Sequence, residues 1–313
     1  MGNFHHISVL LEDSIGLLNI KEDGLYLDAT VGGGGHSLAI AKKLTTGKLV
    51  AMDQDREALE AAKVRLHEYA DKVQFIEGNF RHVVKKLMPY GLFGFDGILM
   101  DIGVSSHQID TEDRGFTFLQ DGPLDMRMDQ SLEISAADIL NAYNESDLIH
   151  ILKDFAEERY AGRIARNIVQ RRVLEPYETS KQLVDTVLSS LPREAKKQEW
   201  KSVMRVFQGM RIAVNDELGA LEEAIPQMIR LLKTGGRLAI ISFHSLEDRI
   251  VKNAFRLAES ECVCPPKSPI CTCNKKAEVR IITKKPIVAT EDELQENTRS
   301  HSAKLRVIEK LGG

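Results

Sequence analysis

The residues of this chain whose types and spacing best suit binding chemistry are a run of four glycines, Gly32–Gly35, and an aspartate, Asp53. A strand-like apolar run (25–27) precedes the glycines, and a helix-like run (37–44) follows them. Such a turn can hold a nucleotide-like ligand at the helix N-terminus, because glycine lets the ligand approach the backbone N–H groups. Asp53 ends the next apolar run about 20 residues later, where a βαβ unit places a carboxylate against ribose hydroxyls. The two signals together predict a site for a ligand that contains a nucleoside.

The positions of the glycines in the turn distinguish between classes of ligand. Ser37 stands where the dinucleotide fingerprint G-x-G-x-x-G requires its third glycine, which argues against a nicotinamide-dependent dehydrogenase. The form D-x-x-x-G-x-G, read from Asp28, instead resembles motif I of the class I methyltransferases that use S-adenosylmethionine (SAM). A glycine turn without a ligand is the plain alternative, and the agreement of the glycines, the flanking patterns and Asp53 argues against it.

Apolar runs that alternate with helical patterns predict an α/β fold with a parallel sheet and right-handed crossovers. Strands are expected at 25–30, 48–53, 73–76 and 95–100. Asp28, Asp53, Phe80 and Asp101 lie at or just beyond the ends of these strands. In open α/β sheets the ligand lies beyond the carboxyl ends of the strands. The four residues are therefore expected at one edge of the sheet.

The alternation stops between residues 106 and 205, where no buried strand is evident. A polar loop (110–129) is expected there, and then helices near 135–142, 145–155, 157–173 and 179–190. The chain is therefore interpreted as an α/β domain of residues 1–105 and 206–313, with residues 106–205 as an all-helical insertion.

After the insertion, the α/β pattern resumes with one long helix. It is expected to run from about Val206 to Leu232 and to end at Gly235-Gly236, because glycine favours a helix C-terminus. The last expected strands are at 237–242, 279–283 and 304–308.

Composition indicates a globular protein without a membrane anchor. The chain has 313 residues, of which 43% are hydrophobic and 28% charged, as in soluble domains. No apolar run of about 18 residues and no signal peptide is evident, so a cytoplasmic location without a membrane partner is expected. The net charge of −4 does not mark a nucleic-acid binder. Basic clusters at 159–172, 275–285 and 299–306 suit phosphate binding, although a solvated helix face and a basic tail explain them equally well.

All four cysteines lie in one short segment with the pattern C-x-C-P-P-x4-C-x-C: Cys262, Cys264, Cys271 and Cys273. In a reducing compartment such clustering favours metal over disulfides. A zinc knuckle with four thiolates is one interpretation, although C-x-C spacing is less typical of zinc than C-x2-C. A redox-sensitive or unliganded loop is the other. The sequence does not decide between them.

Longer strings carry a resemblance to a known family. They are Asp101-Ile102-Gly103-Val104-Ser105-Ser106-x-Gln108, Arg114-Gly115-Phe116, 121–129 (DGPLDMRMD), Glu157-Glu158-Arg159-Tyr160, 211–218 (RIAVNDEL), 243–249 (FHSLEDR) and 299–306 (RSHSAKLR). They resemble the 16S ribosomal RNA (cytosine-N4)-methyltransferases, the RsmH (MraW) family, and the resemblance runs from His6 to Arg306. It implies a class I SAM-dependent methyltransferase with a Rossmann-like, mostly parallel seven-stranded sheet.

The resemblance also implies the residues that contact SAM: Gly34, Gly35, His36, Asp53, Phe80, Asp101 and Gln108. The N–H groups of the glycine turn would face the methionine carboxylate, and Asp53 would accept hydrogen bonds from the ribose hydroxyls. Phe80 would stack on or edge the adenine. Asp101 would face the sulfonium or the methionine amine, and it is also the expected catalytic residue, as an acceptor for the N4 hydrogens of cytosine. No metal ligand is assigned.

Several other polar residues have two interpretations each. Asp125 and Asp129 are either further acceptors or caps of the loop that carries them. Arg211 and Asn215, four apart on one helix face, either line the cleft or join the insertion to the sheet. His244 is expected in the cleft wall rather than as a base.

The implied activity is methylation of the N4 amino group of a cytidine in the decoding region of 16S rRNA within the small ribosomal subunit. The arginines of the insertion would hold the RNA backbone, and the target base would leave its stack. Whether the chain forms a homodimer is left open.

Three alternatives remain at this point. Residues 200–209 lack the His-Pro-Ala-Lys-Arg-like string of the family, and Gly209 stands where alanine is usual. A divergent paralogue that methylates another RNA cytidine is therefore one alternative. A DNA amino-methyltransferase is the second, although residues 101–104 read Asp-Ile-Gly-Val rather than the D/N/S-P-P-Y/F/W string of those enzymes. The third is a non-catalytic RNA-binding or assembly factor that retains the SAM fold.

Overall fold

A seven-stranded sheet organises the chain. The structure, a computed structural model, describes residues 8–105, 108–109, 111–264 and 272–312. The strands are β1 (Leu25–Asp28), β2 (Lys48–Asp53), β3 (Val73–Glu77), β4 (Phe95–Asp101), β5 (Leu232–Ser242), β6 (Val279–Ile281) and β7 (Lys304–Lys310). Their order across the sheet is β3-β2-β1-β4-β5-β7-β6. β1 to β5 run parallel, and β7 is antiparallel to β5 and β6. The predicted mostly parallel seven-stranded sheet is confirmed.

The described helices are α1 (Leu11–Leu18), α2 (Gly35–Lys43), α3 (Arg56–Arg65), α4 (Val83–Leu87), α5 (Ala136–Ala142), α6 (Glu145–His150), α7 (Ala161–Arg172), α8 (Ser180–Ser190), α9 (Glu199–Asn215), α10 (Glu217–Leu231), α11 (Ser245–Glu259) and α12 (Glu291–Glu296). None of these helices combines the length and the apolar character that crossing a bilayer requires.

The strands are apolar along almost their whole length because each face of the sheet carries its own core. Leu27 and Ile98 belong to one buried cluster, and their neighbours Tyr26 and Leu99 belong to another. Successive side chains of a strand point to opposite faces, so a strand covered on both sides has no solvated face and reads as a continuous apolar run. This burial holds the strand ends, where the polar residues lie, in a fixed register.

The long helix expected over 206–232 is wrong in its bounds. The structure has two helices, α9 and α10, separated at Asp216, whose left-handed backbone (φ 45°) ends α9. Gly235 and Gly236 do not end a helix; they lie within β5, where the register with β4 shifts. Gly235 has φ 79°, and a Cβ on Gly236 would come 2.6 Å from the carbonyl oxygen of Phe95. The glycines therefore permit an irregularity in the strand.

Backbone contacts divide the chain into two units. The first comprises the residues up to Gly103 together with those from Leu218, and the second is Val104–Glu217. The boundary inferred from the sequence at 205/206 falls inside α9, which belongs wholly to the second unit.

The second unit has its own apolar core, formed by α5 to α9 and including Ile139, Ile164 and Phe207. Its described residues contain no strand, only an isolated bridge between Pro123 and Thr179. The helix expected over 157–173 begins at Ala161, because Glu157 has a left-handed backbone (φ 48°) that a helix does not accept.

Candidate active site

The glycine turn joins β1 to α2 at the carboxyl edge of the sheet. The Gly34 N–H donates to the Val31 carbonyl (2.8 Å), and Gly34 has φ 78°, a conformation that favours glycine. A Cβ on Gly35 would come 1.9 Å from Ser8 Oγ, whereas one on Gly33 would meet nothing within 4 Å. The turn is thus tightly packed at Gly35 and open at Gly33, where a ligand can approach the main chain.

Asp53, at the end of β2, is held by two backbone donors. Its Oδ2 accepts from the Gly32 N–H and its Oδ1 from the Asp55 N–H, both at 2.9 Å. Burial raises the pKa of Asp53 to about 6, despite these hydrogen bonds. Each carboxylate oxygen keeps a further lone pair. The side chain is therefore oriented by the turn and still able to accept from two hydroxyls.

Asp28 is a buried residue to which the sequence assigned no role beyond starting the glycine motif. Its Oδ2 accepts from Ser37 Oγ at 2.6 Å, and its Oδ1 accepts from the Thr30 N–H at 3.3 Å. Burial raises the pKa of Asp28 to about 6. This carboxyl ties the end of β1 to the first turn of α2, and the signal for it was Ser37, the residue that replaces the third glycine.

Asp101 ends β4 and faces the first turn of α2. Its Oδ2 lies 3.5 Å from His36 Nδ1, and its N–H donates to Thr30 Oγ1 at 2.7 Å. Oδ1 is buried and has no hydrogen-bond partner among the described residues, while the side chain as a whole is 25% exposed. Burial, with the negative charges of Asp28 and Glu247, raises the pKa of Asp101 to about 8. A cation or an N–H donor beside Oδ1 would relieve this electrostatic cost.

His36 has one ring nitrogen in a backbone contact. Nε2 lies 3.0 Å from the Val9 carbonyl oxygen, which can only accept, so Nε2 carries a proton and donates. Nδ1 faces Asp101. His36 is buried at the second residue of α2, and the structure thus brings this predicted residue together with Asp101.

Phe80 follows β3 and begins a short 3-10 turn, Phe80–His82. Asn79 caps this turn, since its Oδ1 accepts from the Arg81 N–H at 2.8 Å. The Phe80 ring is half-buried and packs against the core of the first unit. Its exposed part can contact a flat ligand, as expected for adenine.

Gln108 lies in the second unit, within a local turn. Its Oε1 accepts from the Ser105 N–H at 3.0 Å, and its own N–H donates to Ser105 Oγ at 3.2 Å. Ser106, which belongs to the string that carries the family resemblance, lies outside the described residues. The contact of Gln108 with SAM stays a prediction.

The polar residues for which the sequence leaves two interpretations make hydrogen bonds within the second unit. Asn215 Oδ1 accepts from the Met128 N–H and its Nδ2 donates to the Met126 carbonyl, both at 2.8 Å. Asp125 binds Arg127 through both carboxylate oxygens, at 2.9 and 2.7 Å. These contacts stabilise the loop before α5. They favour the capping interpretation of Asp125 and a loop-anchoring role for Asn215.

Two more of these residues serve local structure in the same way. Asp129 Oδ1 accepts from the N–H and the hydroxyl of Ser131, at 2.9 and 2.7 Å. Arg211 pairs with Glu217 at 2.8 and 3.0 Å.

His244 is the N-cap of α11. Its Nδ1 accepts from the Glu247 N–H at 3.4 Å, and Glu247 accepts from the Phe243 and His244 N–H groups in return. The buried Glu247 is also one of the two charges that raise the pKa of Asp101. The sequence signal for Glu247 was the spacing of a capping box.

The arginine cluster of the second unit separates into two groups. Arg159, Arg163 and Arg166 are exposed. Arg172 instead donates to the carbonyls of Leu140 and Tyr143, and Arg171 contacts Gln182, Thr186 and Glu175. Arg171 and Arg172 are half-buried, so the first group presents more of its positive charge to solvent, although Arg166 lies 3.7 Å from Glu145.

The atypical segment 200–209 is the first half of α9. A Cβ on Gly209 would come 2.6 Å from the Cβ of Ala156, so glycine allows the two backbones to approach. Trp200 is half-exposed and stacks on Phe118 with ring centroids 6.3 Å apart. Arg205 Nε donates a hydrogen bond to Oε2 of the buried Glu158 at 2.9 Å. The segment is thus packed into the second unit rather than irregular.

The strand order, the glycine turn before α2 and the carboxylates at the ends of β2 and β4 define a class I SAM-dependent methyltransferase. The model of the MraW methylase family matches residues 3–311. This chain therefore belongs to that family.

Similar proteins match along nearly the whole chain. A protein of Clostridioides difficile (strain 630) is 50% identical over 309 residues, which cover 98% of this chain and 99% of the relative. A protein of Heliobacterium mobile is 51% identical over 310 residues, with the same coverage. Both relatives are named ribosomal RNA small subunit methyltransferase H.

Proposed function

We propose that this chain transfers the methyl group of SAM to the N4 amino group of a cytidine in the decoding region of 16S rRNA, within the small ribosomal subunit. The observation that carries the proposal is the match to rRNA small subunit methyltransferases at about 50% identity along 98% of the chain. The site of the first unit supports it, because its turn and carboxyls suit a nucleoside that also carries a positive charge.

The chain's residues fit SAM on two observations. The backbone is open at Gly33 in the turn that leads into α2, where N–H groups suit the methionine carboxylate. Asp101 Oδ1 is a buried acceptor whose partner is missing among the described residues, which suits the methionine amine or the sulfonium. Asp53 would accept from the ribose hydroxyls, and Phe80 would contact the adenine. When bound, SAM supplies an electrophilic methyl group.

Cytosine N4 is a weak nucleophile, because its lone pair is delocalised into the ring. An acceptor for the N4 hydrogens strengthens it, since positive charge develops on N4 during the transfer. We assign this role to Asp101. A cation beside this carboxyl favours its charged form and lowers its pKa from about 8. Positioning supplies a further share of the barrier reduction, on the order of 7–11 kcal/mol in favourable cases.

We assign RNA binding to the exposed arginines of the second unit, Arg159, Arg163 and Arg166. Two of them lie at i and i+3 on α7, so they share a face of that helix. Arginine pairs well with phosphate because its planar group donates two parallel hydrogen bonds. The net charge of −4 means that binding depends on this local surface rather than on the whole protein.

Mass-spectrometric mapping of methylated cytidines in 16S rRNA tests the proposal. In cells that lack this protein we expect one N4-methylcytidine to disappear from the decoding region. The wild-type gene should restore it, and a gene encoding Asp101→Asn should not. An unchanged map of 16S rRNA would refute the function. Loss of a methyl group from a different RNA cytidine would identify the chain as a divergent paralogue, which the atypical segment 200–209 leaves open.

A further inference from the structure

Three cysteines converge in the segment between α11 and β6. The sulfur atoms of Cys262, Cys264 and Cys273 all lie within 4.8 Å of one another, and Cys262 Sγ is 3.8 Å from Cys273 Sγ. Cys262 is exposed and the other two are partly exposed. The fold thus brings Cys273 to two thiols that precede it by about ten residues. The site lies at the surface of the first unit and is not part of the methyl-transfer chemistry.

The distance between two of the sulfur atoms matches a tetrahedral metal centre. Zinc–thiolate bonds are about 2.3 Å long, so two sulfurs of a regular tetrahedron around zinc lie roughly 3.8 Å apart. That is the distance between Cys262 Sγ and Cys273 Sγ. A disulfide requires about 2.05 Å and joins only two sulfurs, whereas here three sulfurs lie within 4.8 Å of one another.

Each of the three sulfurs also accepts a backbone hydrogen bond. The Cys264 N–H donates to Cys262 Sγ and the Val263 N–H donates to Cys273 Sγ, both at 3.4 Å. Cys264 Sγ accepts a hydrogen bond from the Thr272 backbone. Backbone donors stabilise the thiolate, which is the form that binds metal, and hydrogen bonds of this kind orient metal ligands. These backbone donors therefore suit sulfurs that carry negative charge.

We propose that Cys262, Cys264 and Cys273 bind a structural zinc ion. A closed zinc site takes a fourth ligand. The sequence offers Cys271, which lies outside the described residues, and the proposal rests on the other three. β6 is a three-residue strand at the edge of the sheet, next to β7. A zinc ion ties the chain just before this short edge strand, so it stabilises that edge by closing the loop after α11.

Elemental analysis of the full-length protein tests the proposal. The protein is prepared without a metal-affinity tag, from cells grown with zinc and under reducing conditions. We expect about one zinc per chain. The variants Cys262→Ser, Cys264→Ser and Cys273→Ser should each lose it. Thr272→Ser is the matched control, because it lies in the same segment and keeps the backbone N–H, and it should retain zinc.

Cobalt provides a second measurement. Cobalt added to the metal-free protein should give the thiolate charge-transfer band and the visible bands of tetrahedral coordination. SAM binding by the serine variants shows that they are folded, so that loss of zinc is not a consequence of unfolding. Wild-type protein that neither contains zinc nor takes it up would overturn the proposal. So would serine variants that keep their zinc, or a Cys262–Cys273 disulfide in protein from reducing cells.

Discussion

Substitution of Asp53 tests the SAM site most directly, because the structure shows how many hydrogen bonds the carboxylate can still accept. One lone pair on each oxygen is used by the Gly32 and Asp55 N–H groups, which leaves one on each for the ribose. A hydrogen bond to a charged group contributes about 1.5–3 kcal/mol. Asp53→Ala therefore removes about 3–6 kcal/mol from SAM binding, and Kd should rise roughly 10²–10⁴-fold.

Asp53→Asn is a milder change, since it keeps one acceptor oxygen and removes the charge. Loss of one charged hydrogen bond corresponds to a rise in Kd of roughly 10- to 150-fold. Isothermal titration calorimetry measures both effects. Asp55→Asn is the matched control: Asp55 caps α3 through its side chain, asparagine is an equally good cap, and its SAM affinity should equal that of the wild type. Thermal melting confirms that each variant is folded.

The titration of Asp53 gives the same experiment a pH dependence. Burial raises its pKa to about 6 in the ligand-free protein. If the ribose binds the charged form, SAM affinity should fall as the pH drops below about 6, up to tenfold per pH unit. The Asn variant should lack this part of the pH dependence and keep the part that comes from Asp101, whose pKa burial raises to about 8. A Kd within threefold of the wild type for Asp53→Ala, in a folded protein, would refute the assignment of Asp53 to the ribose.

Three further predictions concern catalysis, RNA binding and stability. Asp101→Asn should lower kcat for methyl transfer to small-subunit RNA by roughly 10²–10³-fold, because the acceptor acts as charge develops on N4. An unchanged rate of methyl transfer in a single-turnover assay would place the acceptor elsewhere. Arg163→Glu combined with Arg166→Glu should weaken RNA binding in filter assays and reduce its salt slope by about 1 per lost phosphate contact. SAM affinity should not change, and charge reversal of the exposed Lys63 in the first unit should have no effect on RNA binding. Burial raises the pKa of Asp28 to about 6, above its unfolded value of about 3.9. The protonated carboxyl therefore contributes its full share to the free energy of unfolding below about pH 4, and this share is lost as the pH rises through 6. Melting temperatures of Asp28→Asn should therefore decline less than those of the wild type between pH 4 and 7.

The elements of the sheet followed from local pattern, and their bounds were the least accurate part. β2 agrees with the expected range 48–53 because a continuous apolar run that ends at an aspartate marks it. The break at Asp216 was missed, since the apolar period of α9 runs on into α10 and only the backbone conformation separates them. The prediction for Gly235 is wrong for a similar reason: a glycine after an apolar helix favours a C-terminus, and here it permits a strand irregularity.

The sequence by itself determined the fold class, the family and the strand-end positions of Asp53, Phe80 and Asp101. It could do so because apolar periodicity and the spacing of short motifs are local properties of the chain. Only the tertiary structure decided which polar groups are used up internally, such as Asn215 and Arg172, and which keep an unpaired atom, such as Asp101. It also decided that three sulfur atoms lie within 4.8 Å of one another. Burial and hydrogen-bond partners arise from residues far apart in the chain, and no local pattern encodes them.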